Sequence, residues 1–282
     1  GGGGGGMSNY RSSPNLTNCT FTGNSAEYLG GGMYNVFSSS PALTDCTFTS
    51  NAAQYGGGMY NSLSSSPTLN DCAFTNNSAA LYGGGMYNTG STPTLTNCTF
   101  TNNSAGSEGG GMRNYFCNPT LTDCTFTSNS AYDGGGMLND SSSPTLTDCT
   151  FMDNSADEDG GGMYNVFSSP ALTDCTVTNN SAYDGGGMFN LNQSYPTLAT
   201  CTFTNNAAQY GGGMYNLDRS SPTLISCGFT GNSAEDTGGG MYNDESSSPI
   251  LTGCGLCENI GGNISGGWVD DGGNCLSIGC DD

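Results

Sequence analysis

Residues 83–105 read GGGMYNTGSTPTLTNCTFTNNSA, and the rest of the chain is close to nine further copies of that stretch. Ten cysteines mark the copies: Cys19, Cys46, Cys72, Cys98, Cys124, Cys149, Cys175, Cys201, Cys227 and Cys254, each 25 to 27 residues from the next. Ten methionines from Met7 to Met241 and all ten prolines from Pro14 to Pro249 keep the same period of about 26. From the proline to the last asparagine of a unit the spacing never changes, as Pro41 to Asn51 and Pro93 to Asn103 illustrate. Length varies only between the GGGMYN asparagine and the proline, and between the paired asparagines and the next glycine triplet. Those places read as turns.

Inside the fixed segment Cys98 and Phe100 alternate with Thr99 and Thr101, and in GGGMYN Met86 and Asn88 alternate with Tyr87. A period of two is the mark of half-buried strand. Glycine triplets, a proline per copy and β-branched threonines all oppose helix. Strands this short, with no room between them for a crossover helix, pair with the same strand of the next copy. The expected fold is therefore all-β, a single-stranded parallel β-helix (β-solenoid) of ten coils, each rising by the ~4.8 Å strand spacing. Every repeat position becomes a column. Leucine, cysteine, methionine and phenylalanine columns make a dry interior, where each buried Phe or Leu is worth roughly 1.5 to 3 kcal/mol. Two asparagine columns, Asn24 to Asn259 and Asn9 to Asn243, are expected to stack as amide ladders, each amide donating to one neighbour and accepting from the other.

The pairing of FTNNSA with GGGMYN resembles the FxxN and GGA(I/L) repeats of the polymorphic outer-membrane protein type. The resemblance covers Gly4 to about Asn259, with Met standing where Ile or Leu is usual. It implies a right-handed β-helix and an extracellular or cell-surface location, often with adhesion. Residues 1–259 form the repeat domain in this reading. The stretch 260–282 loses the period, holds the single Trp268, and reads as a C-terminal cap over the last coil.

Composition narrows the partners. Among 282 residues there are 47 Gly, no His, and three basic residues, Arg11, Arg113 and Arg219, against 24 carboxylates, a net charge of −21. Such a chain repels nucleic acid and anionic membranes. No apolar run is long enough to span a membrane. The glycine triplets are followed by no Lys and open no helix, so phosphate binding is not expected. The column cysteines are expected as free buried thiols, because parallel stacking holds their Cβ atoms slightly too far apart for a bridge. Cys117, Cys257, Cys275 and Cys280 lie off the column and leave room for a bridge within the cap. Carboxylates recur with the repeat or lie in variable turns, and no coil gathers a distinct acid–base pair, so no enzyme and no organic cofactor are expected.

Four surface features remain. Aspartates before the column cysteine, including Asp123, Asp148 and Asp174, stack with repulsion of order 1 kcal/mol per pair, which a Ca²⁺ ion would relieve and plain hydration would also satisfy. Tyr34, Tyr60, Tyr87, Tyr164, Phe189, Tyr215 and Tyr242 are expected as an exposed aromatic stripe, serving either wall stability or a bound sugar. Outward T-x-T pairs such as Thr99 and Thr101 resemble the ice-binding face of β-helical antifreeze proteins. Sequons stand at Asn15, Asn18, Asn76, Asn97, Asn102, Asn139, Asn179, Asn192 and Asn263. The expected function is a non-enzymatic extracellular structural protein, assembling head to tail into filaments and carrying or binding glycans. A carbohydrate-binding adhesin and an ice-binding protein are the alternatives. The head-to-tail expectation rests on the first coil, which begins at Gly1 to Gly6 with nothing to cover it.

Overall fold

A computed structural model describes residues 3–277, and among them there is no helix. Three parallel sheets of eleven strands each run the length of the molecule. The GGGMYN segments build the first, from Met7–Tyr10 and Met33–Val36 to Met241–Asn243. The PTLT segments build the second, from Asn15–Thr17 to Ile250–Thr252, and the CTFT segments the third, from Thr20–Thr22 to Gly255–Cys257. Pairing follows the repeat without slippage in these three sheets: Phe74 faces Phe48 and Phe100, and Met86 faces Met59 and Met112. A fourth side, formed by the link before each glycine triplet, pairs only in part, as in Ala52–Tyr55 with Ser78–Tyr82.

The corners explain residues that alternation leaves unassigned. Between the second and third sheets the chain turns through a left-handed residue, with φ of 52° at Asp45, 54° at Asp71 and 52° at Asn97. After the third sheet it turns again through the first asparagine of the NN pair, with φ of 55° at Asn76 and 54° at Asn102. Asn and Asp tolerate this region because their short polar side chains bond locally. The second asparagine then points inward.

The interior is a set of columns. Met59, Leu69, Cys98 and Phe100 and their equivalents from the second coil to the tenth are shut off from solvent. Successive phenylalanine rings lie flat on one another, Phe74 on Phe100 and Phe100 on Phe126 at 4.7 Å between centroids. Both asparagine ladders form. In one, Asn35 Nδ2 donates to Asn61 Oδ1 at 2.8 Å, and the pattern runs from Asn9 to Asn243. In the other, Asn103 Nδ2 donates to Asn129 Oδ1 and to Phe74 O, while its own Oδ1 accepts from the Asn77 backbone N–H and Nδ2. Every hydrogen-bonding position of that buried amide is thereby used.

A third ladder lies in the serine-rich turns. Ser39 N–H donates to Ser65 Oγ, Ser65 N–H to Ser91 Oγ, and Ser142 through Ser247 continue the series. Cys117 occupies the serine position of its own coil, donating its N–H to Ser142 Oγ. The column thiols from Cys46 to Cys254 are unbridged and buried, with Cys98 Sγ donating to Thr96 O at 3.3 Å.

The glycine triplet is required by crowding. A Cβ on Gly84 would lie 2.4 Å from both Gly110 O and Ser104 O, and one on Gly85 would lie 2.5 Å from Gly111 O. The first glycine of the triplet, Gly83, has a φ of 68°. Beyond residue 260 the three sheets gain one shorter rung, Ile264–Ser265, Val269–Asp270 and Cys275–Ser277. Trp268 packs there against the end of the core. Cys257 lies half-buried with its sulfur 3.8 Å from the Thr230 hydroxyl, and Cys280 is outside the described residues.

Candidate functional site

The aromatic stripe forms on the outer side of the first sheet, but it is not exposed. Tyr87 is 8 % exposed and Phe189 2 %, and Tyr34, Tyr60, Tyr164, Tyr215 and Tyr242 are half-buried. Side chains of the link fold over it: the Tyr82 ring sits 6.0 Å from Tyr87 and 5.5 Å from Tyr55, while Tyr60 meets Tyr87 edge-on at 5.2 Å. Burial pushes the Tyr60 hydroxyl up to about 12. Alternation places a residue outside the sheet; it is silent on what the following turn lays across it.

Two rungs break the stripe, Arg113 and Leu138, both buried. Arg113 Nε donates to Glu108 Oε2 at 2.6 Å and a second nitrogen lies 3.5 Å from Asp140 Oδ2. The guanidinium carbon stands 4.7 Å from the centre of the Tyr82 ring, 5.2 Å from Tyr87 and 4.9 Å from Tyr115. One coil is therefore distinct after all, contrary to the uniform reading of the repeat, because a lone Arg can sit among aromatic faces and carboxylates once the link supplies both.

Above that cation the link column turns acidic. Glu108 pairs with Asp133 and Asp159 with Asp184 from rung to rung, and Asp159 N–H donates to Asp133 Oδ1 at 3.2 Å. Burial raises all three aspartates, Asp133 and Asp184 to about 6 and Asp159 to about 7, with neighbouring carboxylates adding to the effect. Asp184 Oδ1 is buried and has no hydrogen-bond partner among the described residues. Among those residues no group of three acidic, cysteine or histidine side chains is arranged to hold a metal ion.

That also bears on Asp123, Asp148 and Asp174. They are exposed, one to a rung, at the left-handed corner with φ of 52° to 53°. Backbone conformation accounts for them, and Thr200 and Asn97 donate to Asp174 and Asp71 where the acid column is interrupted. The structure thus gives the candidate calcium residues a turn role. Of the sequons, Asn15, Asn18, Asn76, Asn97, Asn102 and Asn179 are exposed and Asn192 and Asn263 are half-buried. Asn139 is withdrawn from that set: it is fully buried in an amide ladder, accepting from Asn114 and donating to Asn165.

The threonines form a wider array than T-x-T pairs in one sheet. Thr99 and Thr101 stack on Thr125 and Thr127, and in the adjoining sheet Thr94 and Thr96 stack on Thr120 and Thr122. Ala73, Met152 and Gly228 interrupt the first pair of columns. A further feature escaped the sequence reading. In the variable turn after GGGMYN, Phe37, Leu63, Phe116 and Phe167 project into solvent along one ridge. Its signal is an apolar residue two places after the first-sheet asparagine, where the other coils carry Arg11, Gly90, Ser141, Asn192, Asp218 and Glu245.

No curated protein is found to match this chain. A family model described as a right-handed β-helix region matches residues 1–111 and again 92–229, most of the ten coils. With the coil, the register and the ladders in agreement with that match, the chain belongs to the right-handed β-helix family.

Proposed function

We propose that this protein is a non-enzymatic extracellular structural rod of the polymorphic outer-membrane protein type, joined end to end as a subunit of a surface filament. The observation that supports the reading is the constancy of the cross-section. Three sheets, two amide ladders and the stacked core repeat from rung to rung in constant register, so a rung of one copy offers the next copy the same template that it offers its own neighbour. A contact of that head-to-tail kind does not close on itself and propagates. The net charge of −21 opposes side-by-side clumping and is screened by salt. The perturbed aspartates lie beside Tyr164 in a packed seam, which suits a wall better than a catalytic cleft. Exposed sequons and the FTNNSA and GGGMYN motifs support the surface location. Sedimentation across a concentration series, with electron microscopy, tests the reading: thin filaments that thicken with salt are expected, and a monodisperse monomer throughout removes it.

The in-register threonine columns on two adjoining sheets favour one second reading, an ice-binding face. Thermal hysteresis tests it directly, and its absence at high protein concentration rejects it. The aromatic stripe, being covered, no longer supports an adhesin.

A further inference from the structure

We propose that the cysteine column is a binding site for soft monovalent d10 cations, of the chemical class of Cu(I) and Ag(I), each held in line between the sulfurs of two successive rungs. Ten thiols, Cys19 to Cys254, stand one to a rung. Their side chains share one conformation, because each sulfur lies against the carbonyl two residues before it, at 3.3 Å for Cys46, Cys98, Cys124 and Cys175. One conformation repeated by one translation sets one sulfur spacing. The phenylalanine rings of the neighbouring column repeat at 4.7 Å, and successive sulfurs stand at the same rung interval, about 4.7–4.8 Å. The sulfurs also face one another: the Cys149 and Cys98 thiols hold that of Cys124 well below its ordinary value, and the Cys227 thiol brings Cys254 down to about 7. The interval is too long for a disulfide, whose sulfurs lie about 2.05 Å apart. It is close to twice the bond between a thiolate and a d10 ion, about 2.3 Å. An ion midway between two rungs therefore meets both sulfurs without movement of the backbone.

Geometry and charge select the ion. Among the described residues no three acidic, cysteine or histidine side chains converge on one point, so ions that demand three or four ligands or more, Zn²⁺ and Ca²⁺ among them, find no site there. Thiolate ligands select soft ions, and two ligands in line suffice for Cu(I) and Ag(I). The column lies in the dry interior, with Cys46 to Cys254 at most 1 % exposed, where an uncompensated charge is costly. A monovalent ion adds none. On binding, the S–H bond breaks, a sulfur–metal bond forms, the proton leaves to solvent and no electron is transferred, so a neutral thiol becomes a neutral metal thiolate. The second bond is a lone pair given by the sulfur of the next rung. Because the rungs are evenly spaced, an interior sulfur serves the gaps on both its sides, and ten sulfurs enclose nine gaps. The carbonyl bond does not call for sulfur, since a serine hydroxyl is the stronger donor and already builds the ladder through Ser39 and Ser65. The interior being closed, the ions enter as the coils stack. This site is independent of end-to-end assembly.

Loading the reduced whole chain with Ag⁺ tests this, both by refolding from urea in chloride-free buffer with Ag⁺ present and by addition to the folded protein, with the bound silver counted after gel filtration. About one proton released per ion is expected, with two sulfur neighbours of silver at about 2.3–2.4 Å by X-ray absorption and a higher melting temperature. Cys124→Ser and Cys175→Ser, which keep a donor for the Thr122 and Thr173 carbonyls, each break two gaps and should bind two ions fewer than the parent. Cys254→Ser, at the end of the column, should bind one fewer. A loss of one ion in the interior variants, as independent thiols would give, overturns the proposal. So does a third ligand on silver, loss of the β-sheet circular dichroism on loading, or uptake by both routes no greater than the four thiols off the column, Cys117, Cys257, Cys275 and Cys280, can hold.

Discussion

The ladder through Asn103 and the column through Asp159 are built alike, one polar residue per rung stacked on its counterpart, and they behave in opposite ways. An amide is donor and acceptor together, so each Asn satisfies the next and the stack can be buried completely. A carboxylate only accepts. Stacked, Asp133, Asp159 and Asp184 repel one another, half-burial raises their pKa values, and one oxygen of Asp184 has no partner among the described residues. A polar column is buried without a penalty of this kind when each rung supplies both the donor and the acceptor that the next one needs.

The sharpest way to break that contrast is to turn one column into the other. Asn103→Asp keeps the shape and the acceptor but removes both donated bonds and sets a charge in the dry interior; a loss of about 3–5 kcal/mol or failure to fold is expected. Asn103→Leu should cost somewhat less, because it sets no charge in the interior, although the Asn77 N–H and Nδ2 and the Phe74 carbonyl lose a partner. Chemical denaturation measures both, and a stability within error of the parent for Asn103→Leu would remove the ladder as a source of stability.

A smaller effect, about 2 kcal/mol, is expected for Arg113→Leu. Leu138 shows that the next rung accommodates the side chain, but Glu108 and Asp140 would lose their counter-ion. The variant should also steepen the dependence of stability on pH, since Asp133 would then lie beside an unneutralised Glu108. Melting temperatures from pH 4 to 8 report this, and a profile parallel to the parent's would show that the cation does not serve the acid column.

The smallest effect is the most diagnostic. Asp133, Asp159 and Asp184 have folded pKa values of about 6, 7 and 6, above the usual aspartate value of about 3.9. The folded state therefore holds protons more tightly than the unfolded one, and the linked stability is fully present below about pH 4 and is lost as pH rises through 6 to 7. Asp159→Asn should recover about 1 kcal/mol at pH 7.5, by giving the stack a donor beside Asp184, and nothing at pH 4. An equal change at both values would place the effect elsewhere.

The solenoid, its ten coils, the four apolar columns and both amide ladders were legible because each depends on a position that recurs in every copy. Pro93 to Asn103 never changes length; alternation within it assigns Cys98 and Phe100 to one side, and Leu95 and Asn103 join them as columns because they recur at a fixed place in every copy. The serine ladder was not legible. Ser65 and Ser91 lie in turns of variable length, where alternation stops and only the coordinates show which hydroxyl faces inward. Nor was the ridge, because an apolar residue after MYN carries no periodic signal and its left-handed backbone is visible only once the corner is built.

What the chain determined by itself is thus the coil and its interior: a period of 26 with two-residue alternation leaves a stacked parallel sheet as the economical way to pair the strands and bury the apolar positions. What only the tertiary structure decided is the outer side. Tyr87 and Phe189 were outward by alternation and became buried, Tyr87 because the link, whose residues follow no strict repeat, folds back over the first sheet, and Phe189 between the rings of Tyr164 and Tyr215. Phe116 and Phe167 stand in a turn and remained largely exposed, because no segment among the described residues folds over them as the link does over the stripe. Periodicity states which face of a strand a residue occupies, and exposure depends on the irregular segments that cross that face.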